Sequence, residues 1–185
     1  MLENIFDNAE QRMKKSLELL RHELAGIRAG RASPGLIEHL EVNYYGTPMP
    51  LNQLATISAP EPRMLVVQAW DRNAVSAIEK ALRTSDLGLN PSTDGQLIRI
   101  SLPPLTEERR KSLVKLVREH VEETKVAIRN VRRDALSDLK DLLRNKQIGE
   151  DDERRAEERL QELTNRYIVE AEKIGKQKEH DILEV

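Results

Sequence analysis

The chain has 185 residues and a formal net charge of -2, which excludes a generally basic nucleic-acid coat, so any RNA or DNA contact has to come from a local patch. Charged residues make up 34% and aromatics 3%, the composition of long amphipathic helices with charged outer faces. The absence of cysteine excludes a disulfide framework and thiolate chemistry.

The opening Met1-Leu2-Glu3-Asn4-Ile5-Phe6-Asp7 lacks the basic leader and apolar run of a signal peptide, and no run approaches the roughly 20 apolar residues of a membrane span. A soluble cytoplasmic protein is the simplest reading. Leu2, Ile5, Ala9, Met13, Leu17, Leu20, Leu24 and Ile27 recur in steps of three and four, which predicts a first helix with one apolar face, stopped by Gly30 and Pro34. The pattern then changes. Leu40–Tyr44 and Leu54–Ser58 alternate like half-buried strands, and residues 45–50 between them read as turn. Met64–Trp70 suits a buried strand, Asn73–Leu82 a helix, Asn90–Gly95 a loop and Gln96–Ile100 a last strand. This stretch is an α+β unit of about 75 residues.

Beyond Pro103-Pro104, Thr106 is the expected N-cap of a long helix, with Glu107 and Glu108 at its positive end. Its stripe is Leu113, Leu116, Val117, Val121, Thr124, Ile128, Val131, Ala135, Leu139 and Leu142, and its length is roughly 60 Å. Gly149 marks the corner, and Glu150-Asp151-Asp152-Glu153 opens a last helix striped by Ala156, Leu160, Leu163, Tyr167, Ala171 and Ile174, with Ile182 beyond. Three single-striped helices need one another. The expected fold is therefore α+β with two domains: an elongated three-helix bundle (1–29 and 106–185), its second and third helices antiparallel, opened by a small inserted β/α/β domain (31–104). The insertion at one end of the bundle predicts an L-shaped molecule. The seams, at 29–34 and 102–106, supply the hinge residues Ala29, Gly30, Ala32, Ser33, Pro34, Pro103, Pro104 and Leu105.

No catalytic constellation is legible. His22, His39, His120 and His180 are scattered without partners at ligand spacing, and no Walker loop or G-x-G-x-x-G occurs, so neither an enzyme nor a metal site is expected. One stretch departs from the even charge mixture. From Thr124 to Arg133 there is no acid, while Lys125, Arg129, Arg132 and Arg133 are basic. Arg118, Lys125, Arg129 and Arg132 share one helix face. Guanidinium groups on a rigid helix suit phosphate, and such a row can follow an RNA backbone without reading sequence. On spacing alone, a solvated face paired with the acidic last helix is the simpler reading. Arg28 and Arg31 flank the first seam, where Arg28 fits either compensation of the helix dipole or a ligand. Arg109 and Arg110 follow the second seam. Tyr44, Tyr45, Met49 and Trp70 suit either an interaction surface or core and turn support.

Four segments together carry a family likeness: Arg28-Ala29-Gly30-Arg31-Ala32-Ser33-Pro34; residues 42–51, Val-Asn-Tyr-Tyr-Gly-Thr-Pro-Met-Pro-Leu; residues 98–110, Ile-Arg-Ile-Ser-Leu-Pro-Pro-Leu-Thr-Glu-Glu-Arg-Arg; and Ala127-Ile128-Arg129-Asn130-Val131-Arg132-Arg133-Asp134. The chain resembles the ribosome recycling factors along essentially its whole length. The resemblance implies a non-enzymatic, monomeric factor with a transfer-RNA-like outline and no cofactor. It would bind the large subunit of the post-termination ribosome, mainly through ribosomal RNA, and engage neither DNA nor a membrane. With elongation factor G and the GTP which that partner hydrolyses, it would split the subunits and release messenger RNA and deacylated transfer RNA. The family's binding arginines fall on Arg132, Arg129, Arg28, Arg31 and Arg110. Without the resemblance, a helical adaptor recognising other proteins is the competing reading.

Overall fold

The computed structural model describes residues 1–184. In chain order the elements are α1 (Leu2–Ala25), β1 (Glu41–Tyr44), β2 (Thr47–Pro50), β3 (Ala55–Glu61), β4 (Met64–Ala69), α2 (Val75–Thr84), β5 (Pro91–Asp94), β6 (Leu97–Ser101), α3 (Glu107–Arg144) and α4 (Glu150–Leu183). They divide into two compact units, Met1–Leu24 with Val114–Glu179, and Ala25–Leu113 with the chain from His180 onward.

The first unit is a three-helix bundle. Its interior takes Phe6, Ala9, Met13, Leu17, Leu20 and Leu24 from α1, and Val117, Val121, Ile128, Val131, Ala135 and Leu139 from α3. From α4 it takes Ala156, Leu160, Tyr167 and Ala171. Three expected stripe positions shift. Leu116 is 38% exposed, and on α4 Thr164 and Gly175 occupy interior positions flanking the half-buried Leu163 and Ile174. Thr164 is tolerated there because its hydroxyl donates to the Leu160 carbonyl at 2.7 Å; Thr124 does the same to His120 at 3.0 Å. Ion pairs between the helices give their directions. Glu3 meets Arg159 at 2.8 Å and Glu10 meets Arg166 at 3.3 Å, so α1 and α4 run parallel. Arg12–Asp134 (3.0 Å), Arg118–Glu179 (2.6 Å) and Lys125–Glu172 (3.0 Å) set α3 antiparallel to both.

Helix ends depart from expectation in informative ways. α1 stops at Ala25, ahead of Gly26, rather than running to the seam at Gly30. α3 stops at Arg144, where Lys146 adopts φ 58° and the Lys146 and Gln147 amides donate back to Leu143 and Leu142. That is a left-handed helix stop built on a lysine instead of the usual glycine. Gly149 instead caps α4, its amide donating to the Asp152 carboxylate at 3.2 Å. Thr106 caps α3 as expected, its hydroxyl accepting from the Arg109 amide at 3.1 Å.

In the second unit an antiparallel sheet, ordered β3-β4-β6-β5, and a separate β1-β2 hairpin enclose an apolar core with α2. Its centre is Ile37, Val42, Leu51, Leu65, Val67, Ile78, Leu82, Ile98 and Ile100, all fully buried. Two segments read as turn and loop are strands. β2 pairs with β1 across the two-residue turn Tyr45-Gly46, with φ 51° and 80°. β5 pairs with β6, with Gly95 at φ 62° in the turn. Both strands are short, polar or proline-bearing edges with no alternating apolar face, so only their pairing defines them.

Candidate nucleic-acid interface

In the first unit the acid-free stretch of α3 sorts into two groups. Arg118 donates through Nε to Glu179 at 2.6 Å, and Lys125 Nζ lies 3.0 Å from Glu172 and 3.4 Å from Glu122. The Glu172 hydrogen bond holds the Lys125 ammonium above its ordinary value. These two cations are occupied by carboxylates, largely on α4. Arg129, Arg132 and Arg133 have no carboxylate partner among the described residues. They stand at i, i+3 and i+4, one patch of helix surface. Asp134, the nearest acid along the chain, is taken by Arg12 of α1 at 3.0 Å. The patch therefore keeps a positive surplus inside a chain of net charge -2.

Arg132 is half-buried, with its Nε sealed from solvent and unpartnered. The root of the guanidinium thus rests against the bundle, and among the described residues its terminal nitrogens have no acceptor. Holding the group this way lowers the entropy lost when it forks onto a phosphate. Arg129 and Arg133 are exposed beside it.

The second unit holds the seam arginines. Arg28 is half-buried. It donates through Nη2 to the Pro103 carbonyl and keeps a sealed, unpartnered Nε. Burial, and then the neighbouring Arg63, hold its guanidinium below the ordinary value. Arg110 is half-buried with its Nε sealed and unpartnered, and Arg31 is exposed. Arg63, which the sequence reading passed over, is the like charge beside Arg28. It sits in the β3–β4 turn with no flanking motif to mark it.

Single backbone hydrogen bonds reach residues of both seams. The Gly30 amide donates to Asp181 at 3.1 Å, Ala32 to Pro62 at 2.6 Å and Leu102 to Arg63 at 2.8 Å. A Cβ at Gly30 would lie 2.2 Å from the Glu184 carbonyl oxygen, so the backbone approach itself demands glycine. Ser33 caps a 3-10 turn at Pro34–Leu36, its hydroxyl accepting from Gly35 at 3.3 Å.

The aromatic candidates divide. Tyr44 and Met49 pack on the core of the second unit, whereas Tyr45 and Trp70 are 76% and 61% exposed. The Tyr44 hydroxyl donates to Asp71 at 2.5 Å, which pushes its pKa up to about 12, and Trp70 Nε1 donates to Thr56 at 2.8 Å. Among the described residues, one cluster of metal-ligating side chains forms that sequence spacing did not reveal: Glu23, His120 and Glu123 in the first unit.

Known proteins resemble this chain along its length. The family model described as ribosome recycling factor matches residues 20–183. The ribosome-recycling factor of Thermomicrobium roseum is 78% identical over 185 residues, covering all of both chains. That of Thermus thermophilus is 53% identical over 182 residues, 98% of each chain. Among solved structures, the solution structure of a ribosome recycling factor superposes with a TM-score of 0.79 at 50% identity, covering 100% of this chain and 98% of the other. The T. thermophilus ribosome recycling factor, described with E. coli elongation factor G bound to the E. coli post-termination complex, superposes with a TM-score of 0.71 at 53% identity over all of both chains.

Proposed function

The chain belongs to the ribosome recycling factor family, and from that premise we propose how its residues divide the family's work. It is a translation factor and not an enzyme. After termination it binds the large-subunit interface of the post-termination complex. With elongation factor G and GTP it promotes subunit dissociation and the release of messenger RNA and deacylated transfer RNA. No cofactor takes part on this chain, since GTP is consumed by the partner. Among the described residues no helix is long and apolar enough to cross a membrane. Because its site of action is the ribosome, we place the working protein in the cytoplasm, as a monomer.

The anchor on ribosomal RNA is the Arg129–Arg132–Arg133 patch. The observation that carries this is that these three guanidinium groups lack carboxylate partners among the described residues, while Arg118 and Lys125 on the same helix are already paired. Arg28, Arg31 and Arg110 add phosphate donors from the second unit; Arg31 is exposed, Arg28 and Arg110 are half-buried, and none of the three has a carboxylate partner among the described residues. Lys125 supplies charge to the patch while remaining bound to Glu172. Residues 1–29 with 106–185, and 31–104, act as the two working bodies. The seams at 29–34 and 102–106 are the hinge through which displacement of the small domain is passed to the RNA-anchored bundle.

The test is equilibrium binding to isolated large subunits. Arg132→Ala retains the wild-type helical circular dichroism and loses about tenfold or more in affinity, since a charge-assisted hydrogen bond is worth about 1.5–3 kcal/mol. Wild-type affinity in that variant would remove Arg132 from the interface.

A further inference from the structure

We propose that Glu23, His120 and Glu123 form a structural site for a borderline divalent transition metal, Zn²⁺ or Co²⁺ in class, that clips α1 to α3. His120 and Glu123 stand at i and i+3 on α3, so they share a face. Glu23 reaches them from the last turn of α1. His120 Nδ1 is 2.8 Å from a Glu23 oxygen and 3.8 Å from a Glu123 oxygen, and one ligand atom from each residue lies within 4.8 Å of the others. A tetrahedral ion with bonds of about 2.0–2.2 Å separates its ligands by roughly 3.3–3.5 Å, which lies inside that spread.

The histidine supplies the second observation. Its Nδ1 is sealed from solvent and makes no well-aligned hydrogen bond among the described residues, although a Glu23 oxygen stands 2.8 Å away. A buried ring nitrogen facing two carboxylates is the donor arrangement of a metal site, and a dication also relieves the repulsion between the two glutamates. Imidazole with two carboxylates suits zinc or cobalt; magnesium and calcium favour all-oxygen sets. His120 and Glu23 are 24% and 31% exposed in their side chains and so are held in place, while Glu123, at 73%, is free to swing in and close the site. The remaining position belongs to water. None of the three residues belongs to the RNA-binding set.

The experiment uses the full chain stripped of metal and titrated with Co²⁺, followed by visible absorption and calorimetry. One Co²⁺ binds per chain with ligand-field bands that Zn²⁺ displaces and Mg²⁺ does not, and the melting temperature rises with Co²⁺. Glu123→Gln, an exposed change that leaves the fold intact, and His120→Gln each cut the affinity roughly tenfold or more, as loss of one of only three protein ligands requires. His180→Gln leaves it unchanged. The proposal is overturned by sub-stoichiometric uptake, by bands that survive both ligand substitutions, or by equal displacement with Mg²⁺.

Discussion

At the scale of single residues, hydrogen-bond partners decide what each charged or polar group can do. Tyr44 and Asp71 are coupled: the phenol donates to the carboxylate, which raises the Tyr44 pKa to about 12 and, with the Asn73 amide, lowers that of Asp71. The Tyr44 contribution to folding is therefore complete below its ordinary value of 10.0 and is lost as pH rises through about 12. That of Asp71 is present above 3.8 and is lost as pH falls through its lowered value. Tyrosinate absorbance should show a phenol titrating near 12 that disappears in Tyr44→Phe and moves down in Asp71→Asn. A Tyr44 step that stays put in Asp71→Asn would contradict the coupling. The same logic ranks the cations of α3. Lys125→Ala breaks two ion pairs on its own protein, so it should weaken large-subunit binding less than Arg132→Ala in the same assay.

At the scale of elements, the packing of α3 on α4 turns on one small residue. A Cβ at Gly175 would lie 2.5 Å from Val121 Cγ2 and 3.9 Å from Val117 Cγ1. In an exposed helix, glycine to alanine stabilises by up to about 1 kcal/mol. Here the buried clash outweighs that gain, and Gly175→Ala should lower unfolding free energy by about 1–3 kcal/mol. Val121→Ala removes the opposing methyl, so the double variant should be more stable than the sum of the two single changes allows. Denaturant unfolding of the four proteins measures this coupling, and strict additivity would show that α3 and α4 do not meet there.

At the scale of the whole molecule, recycling asks for binding and displacement from different parts of one chain. Binding through arginine–phosphate contacts releases counterions, so affinity for large subunits should fall steeply with salt, and Arg132→Ala should flatten the log–log slope by about one. Affinity indifferent to salt would mean a protein-dominated interface. The proposed hinge makes a separate prediction. Because the chain has no cysteine, a single engineered disulfide joining the two units is chemically unambiguous. The oxidised form should bind large subunits as wild type yet fail to split post-termination ribosomes with elongation factor G and GTP, and reduction should restore splitting. Full splitting by the oxidised protein would refute the hinge.

The sequence by itself determined the three amphipathic helices, the inserted α+β unit and the family. Each of these is written in short-range signals: apolar residues every three or four positions, caps such as Thr106, and contiguous motifs around Arg28, Tyr44, Pro103 and Arg132. It also marked the basic stretch from Lys125 to Arg133, but it could not say which of those cations were free. That depends on the register of α4 against α3, which puts Glu172 beside Lys125 and Glu179 beside Arg118, and on the register of α1, which gives Asp134 to Arg12. The strands β2 and β5 were hidden for a related reason, since an edge strand without an apolar face exists only through its partner. His120 looked solitary because its companion Glu23 is distant in sequence and adjacent only in the bundle. Tertiary packing decided these matters because the pairing of charges and donor atoms is fixed by how helix faces interlock, and that register is written in no local window of the chain.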